Sequence, residues 1–148
     1  MIVRLGLEER GYEALLPLQR VRRAWADRVR VLEQPLFPGY VFCRLDITRR
    51  LPVLQTTGVT RFVGLGKTPT PVDSTEMEAL VAAVCSGLPL EAAKPSVGQK
   101  VRILSGPLKG MTGPVVEINN ERRLVVSVSL LQQAAAIVID HLGVELAA

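Results

Sequence analysis

Beyond residue 90 only short apolar runs and turn signals remain, and this pattern limits the chain's second part to one kind of architecture. The runs VRIL (101–104), VVEI (115–118), LVVSV (124–128) and AIVI (136–139) are each of strand length and rich in β-branched residues. Gly106-Pro107, Gly110, Gly113 and Asn119-Asn120 punctuate them, and the Asn pair suits a hairpin that needs positive φ. Only about fifty residues are available, which bury little surface, so such strands are stable together only if they close into a small barrel.

The first part mixes helix and strand. Residues 4–10 form a short helical segment that Gly11 ends as a C′ residue. Residues 12–21 are extended, with Pro17 marking an edge or irregular strand. The polar stretch 19–30, with Arg20, Arg22, Arg23, Arg28 and Arg30 around Trp25 and Asp27, reads as an exposed hairpin tip. Residues 35–45 (PLFPGYVFCRL) are the most apolar strand candidate, entered through a Pro38-Gly39 bulge or tight turn. A short strand over 59–63 and a turn-rich stretch over 64–71 follow. Asp73 and Glu76 have capping-box spacing, Met77, Leu80, Val81 and Val84 make a helical stripe, and Gly87 with Pro89 stops it. Residues 91–96 (EAAKPS) read as a linker. The expected organisation is therefore α+β: an antiparallel sheet with helices over 1–90, then a β-barrel over 97–148.

Several function classes are excluded at this point. Two cysteines at 43 and 85 and one histidine, His141, provide no metal-ligand spacing, so no metal site or cofactor is expected. Asp140-His141 reads as a strand-end turn. No nucleophile–base pair or phosphate loop is present, which argues against an enzyme. No membrane span or leader is apparent, so a cytoplasmic protein is expected. A net charge of +4 is a modest basic excess, compatible with work near nucleic acid.

Two motifs go further. The stretch VGQKVRILSGPLKGMTGPVVE (97–117) resembles a KOW motif, with Gly98 and Gly106 at tight turns and Gly113 where chains cross closely. PLFPGYVFCR (35–44), with RGYEALLPLQRVRRAW (10–25) before it and TTGVTRFVG (56–64) after it, resembles the N-terminal domain of NusG-like transcription elongation and antitermination factors. Both motifs occur in the family's order, and the resemblance covers essentially the whole chain. It implies an SH3-like KOW barrel after an RNA-polymerase-binding domain. Phe37, Pro38, Gly39, Tyr40 and Phe42 match the strand that meets the polymerase clamp helices. Gln55 and Thr56 match residues near the non-template DNA strand, and the five arginines would face upstream DNA phosphates. Leu108, Lys109, Met111, Leu130 and Leu131 would form the KOW partner surface, which in the family serves Rho or ribosomal protein S10.

The match departs from the family in three places. The chain enters inside the first helix, so the family's first, central strand is expected to be missing. The tract Arg49-Arg50-Leu51-Pro52 lacks the hydroxyl-rich residues of antitermination paralogues, and Leu131 and Gln133 replace an aromatic and basic pair. The strand motif resembles specialised paralogues such as the UpxY type more than the housekeeping protein, so a specialised paralogue of the UpxY or RfaH type is expected. A KOW-containing ribosomal RNA-binding protein is the alternative, but it leaves residues 35–42 without a role and is usually far more basic.

Overall fold

The computed structural model describes residues 2–26, 28–65, 68–95, 98–118, 120–139 and 142–146. They form two compact units, Met1–Pro17 with Phe37–Pro71, and Leu18–Leu36 with Val72–Ala148.

The first unit opens with helix α1 (Ile2–Glu9), two residues earlier than the expected start. Gly11 ends it at φ 86°, while its amide donates to the Glu8 carbonyl and that of Tyr12 to Leu7. That is the left-handed C-terminal cap the sequence called for. Leu7 is buried, whereas Leu5 faces outward. Strand β1 (Glu13–Leu15) follows, and Pro17, which has no amide to donate, separates it from β2 (Leu18–Trp25) in the other unit. The expected single run over 12–21 is thus two strands in two sheets.

Residues 37–41 are not strand. Phe37, Pro38, Gly39 and Tyr40 make a turn with Gly39 at φ 85° and the Tyr40 amide donating to the Phe37 carbonyl at 3.1 Å. Pro at the second position and a positive-φ Gly at the third define a type II turn. The strand proper, β4 (Phe42–Arg44), has three residues and pairs antiparallel with β1. Asp46 caps the 3₁₀ turn Ile47–Arg49 by accepting from the Thr48 hydroxyl at 2.7 Å and the Thr48 amide at 3.0 Å. These two bonds, the side-chain one first, hold its carboxyl below the usual range. Their contribution is therefore present above the ordinary Asp range and is lost as pH falls through the lowered value. Helix α2 (Leu51–Leu54) follows, with Pro52 in its first turn. The expected strand over 59–63 is absent: Gly58 turns the chain at φ 92°, and a short pairing of β5 (Gly64–Leu65) with β6 (Thr68–Pro69) follows it.

The second unit contains β2, its partner β3 (Arg28–Pro35), helix α3 (Ser74–Cys85) and a six-stranded antiparallel sheet. Asp73 caps α3 through the amides of Thr75 and Glu76, and Gly87 at φ 74° ends it. Glu76 does not close the expected box. Its carboxylate accepts from the Ser129 amide at 3.1 Å and the Ser129 hydroxyl at 2.6 Å. Leu80 and Ala83 form the buried side of α3, while Val81, expected in the stripe, is 40% exposed.

The sheet comprises β7 (Glu91–Ala93), β8 (Lys100–Ile103), β9 (Thr112–Ile118), β10 (Glu121–Val128), β11 (Gln133–Val138) and β12 (Val144–Leu146), in the order β12-β8-β9-β10-β11-β7. All four expected strands are present, but β9, β10 and β11 each begin three residues earlier than expected. Strands β7 and β12 are additional, and β7 occupies the first half of the stretch read as linker. Asn120 has φ 63°, as a hairpin there requires; Asn119, Asp140 and His141 lie outside the described residues. Leu124, Val128, Ala134, Ala135, Ile137 and Ile139 are fully buried at the centre.

Gly113, on β9, lies tight against the neighbouring strand β10. A Cβ there would lie 3.2 Å from Leu124 Cδ1 and 3.3 Å from the Val125 carbonyl oxygen. Gly113→Ala is expected to destabilise the barrel by about 1–3 kcal/mol through overpacking. A thermal melt several degrees lower would register it, whereas Gly110→Ala would act through its φ of 89° and not through crowding.

Candidate functional site

Three surfaces carry the residues singled out in the sequence, one in the first unit and two in the second. The first is the Pro-Gly turn. Phe37 is 1% exposed and Phe42 is 7% exposed, and their rings pack edge to face with centroids 5.8 Å apart. These two aromatics, expected at a protein contact, are core. Tyr40 is half-buried and Pro38 and Gly39 are exposed, so the turn presents three of the five residues to solvent. Burial also pushes the nearby Cys43 thiol up from its ordinary value.

Gln55 and Thr56 diverge in the same way. Gln55 is exposed, but Thr56 is 4% exposed and its hydroxyl donates to the Pro52 carbonyl at 3.0 Å. Its methyl faces α1, where a Cβ on Gly6 would come within 2.8 Å of it. Thr56 thus closes α2 and seats the first helix, leaving only Gln55 available to a ligand.

The second surface is the arginine-rich segment. It is more than a hairpin tip: β2 and β3 pair along their whole length, from Leu18 opposite Pro35 to Trp25 opposite Arg28. A two-stranded ribbon is marginal alone. Its base is half-buried at Leu18, Gln19, Val21, Leu32 and Gln34, and the Gln19 side-chain oxygen accepts from the Ala92 amide of β7 at 3.3 Å. Period-2 alternation then sorts the arginines. Arg20 and Arg22 lie on one face, opposite Glu33 and Val31, while Arg23, Arg28 and Arg30 share the other with Trp25. All five are exposed.

The third surface is on the barrel. Leu108, expected to project, is 1% exposed. Gly106 and Gly110, at φ 83° and 89°, bracket it, and the Gly110 amide donates back to the Ile103 carbonyl at 2.8 Å. The loop therefore folds inward and Leu108 plugs the barrel. Lys109 stays exposed, and Met111, Leu130 and Leu131 are half-buried. The last two belong to the 3₁₀ turn Ser129–Leu131, whose first residue Glu76 holds.

Among the described residues no cluster of His, Cys, Asp or Glu could hold a metal ion, and no helix is long and apolar enough to cross a membrane. The described residues thus form an α+β part followed by a small all-β part.

Comparison with known proteins identifies the family. The family model described as transcription termination factor nusG matches residues 2–81, and the KOW motif model matches residues 97–129. The transcription termination/antitermination protein NusG of Thermus thermophilus is 33% identical over 91% of this chain and 80% of its own length. The protein of the same name from Neisseria meningitidis is 31% identical over 96% of this chain and 85% of its own. That from Helicobacter pylori is 29% identical, over 95% and 82%. The chain belongs to the NusG family.

Proposed function

We propose that this protein is a transcription elongation or antitermination factor that binds the clamp helices of RNA polymerase and modulates pausing or termination, without catalysing a reaction. The observation that carries this reading is the family match over residues 2–81, which spans the Pro-Gly turn and the basic ribbon. Residues 1–90 act as the polymerase-binding part and 97–148 as the KOW part, whose sheet also takes in β7. Polymerase is met by Pro38, Gly39 and Tyr40, a rigid turn seated on the buried Phe37–Phe42 pair. A preorganised turn loses little entropy on binding, and Tyr offers a large contact area with a polar end. The ribbon arginines meet upstream DNA phosphates, Gln55 reaches the non-template strand, and Lys109, Met111, Leu130 and Leu131 present a barrel surface for Rho or ribosomal protein S10.

The test is binding of the full chain to a clamp-helix fragment of polymerase. Tyr40→Ala is expected to weaken it by about 1–3 kcal/mol, the range of an aromatic hot spot, with the melting temperature unchanged. Wild-type affinity in a folded Tyr40→Ala protein would remove the turn from the interface.

A further inference from the structure

The ribbon's two faces differ in more than their arginines. One carries Arg20, Arg22 and Ala24 against Glu33, Val31 and Val29. The other, towards the tip, carries Arg23 and Trp25 against Arg30 and Arg28. Trp25 is half exposed, and the Arg30 guanidinium lies 5.6 Å from its ring centroid, the diagonal reach expected between neighbouring strands. Arg23 and Arg30 stand directly opposite each other, a like-charge pair that destabilises a free ribbon. A hydrophobic core does not explain the indole, because half of it is in water. Phosphate contacts alone do not explain it either, because an indole gives a phosphate only one N–H.

We propose that this face is a binding site for unpaired nucleotides: Trp25 stacks on an exposed base while Arg23, Arg28 and Arg30 hold the flanking phosphates. An aromatic platform between cationic side chains is the arrangement that grips single strands without reading sequence, since every base has a π-face. A paired duplex offers such a face only at its ends. The ribbon therefore favours single-stranded or frayed nucleic acid over an intact double helix. The anion also neutralises the Arg23–Arg30 repulsion. This deepens the DNA part of the proposed function and rests on it; it does not depend on the polymerase contact.

Trp25 is the chain's single tryptophan, so its fluorescence reports on this site alone. The experiment titrates the full-length protein with a single-stranded oligonucleotide of mixed sequence, a long, fully paired duplex of the same composition, and polyglutamate. Single strands are expected to quench the emission, and the other two are not. By fluorescence anisotropy of labelled oligonucleotides, Trp25→Leu should lose roughly 10-fold in affinity for the single strand and little for the duplex. Arg23→Ala with Arg30→Ala should weaken both, with a shallower salt dependence.

If the arginine variants leave both affinities intact, the DNA reading of the ribbon fails and this proposal with it. If they weaken both but Trp25→Leu lowers single-strand and duplex binding equally, only the stacking proposal is overturned. Equal quenching by polyglutamate would also overturn it, assigning the face to an acidic protein surface.

Discussion

Phe37→Ala is expected to unfold the first unit or leave it barely stable. The ring is 1% exposed and packs edge to face on Phe42, at the point where the type II turn begins. Truncating a buried Phe removes its transfer free energy and leaves a cavity, together about 3–5 kcal/mol. The same carbonyl that closes the turn belongs to Phe37, so losing its anchor also frees Pro38, Gly39 and Tyr40. Typical domains hold only about 5–15 kcal/mol in total, so this is a large share. Chemical denaturation should show an early transition for residues of this unit, and amide exchange over 37–44 should accelerate sharply. Phe37→Leu, which keeps most of the volume, should recover much of the loss. If Phe37→Ala instead melts like the wild type while losing clamp-helix binding, the ring belongs to the interface and its burial is only that of the free protein.

This experiment separates two roles that the sequence alone runs together. An apolar aromatic run such as FPGYVF signals burial, but whether a core or a partner buries it depends on tertiary packing. The Pro38-Gly39 pair was legible as a turn, and its consequence is the sorting seen here: the turn aims Tyr40 outward and Phe37 inward. Leu108 shows the same ambiguity in the barrel. A leucine between Pro107 and Lys109 in a polar loop reads as exposed, yet two positive-φ glycines fold the loop back on Ile103 and bury it.

Strands β8 to β11 were legible because each carries β-branched residues, and glycine or asparagine turns mark at least one end of β8, β9 and β10. Strands β7 and β12, Glu-Ala-Ala and Val-Glu-Leu, have no such pattern, for they are edge strands held partly by charge. Arg102 on β8 meets Glu145 on β12 at 3.2 Å, and Arg123 on β10 meets Glu91 on β7. Such pairs connect residues 43 and 32 positions apart and leave no local signal. The arginine ribbon was half legible: its charge and exposure are in the sequence, but its division into two faces requires the register of β2 against β3.

The second large effect is expected at Glu91. Arg123 is 8% exposed, on a strand whose neighbours are Leu124, Val125 and Val126. Burying a guanidinium costs several kcal/mol unless a carboxylate is close, and two are: Glu91, in direct contact, and Glu121 at 4.0 Å. Glu91 stands opposite Ala136 on β11, and that strand's alanines at 134–136 leave room for Arg123 to reach across it. Arg123 Nε has no hydrogen-bond partner, so the pair with Glu91 carries most of the compensation. Glu91→Ala leaves the guanidinium buried beside the weaker contact only, and the expected loss is about 3 kcal/mol, the low end for a broken buried pair because Glu91 is itself half exposed. Arg123→Met should cost less, since the remaining carboxylate can hydrate and methionine fills most of the space. The double variant, Arg123→Met with Glu91→Ala, should be more stable than Glu91→Ala alone, as apolar replacement of an ion pair is often neutral. Denaturant midpoints of the four proteins form a double-mutant cycle that isolates the pair. A Glu91→Ala protein within about 0.5 kcal/mol of wild type would mean that water or Glu121 already satisfies Arg123, and that β7 is held to the barrel by its backbone pairing alone.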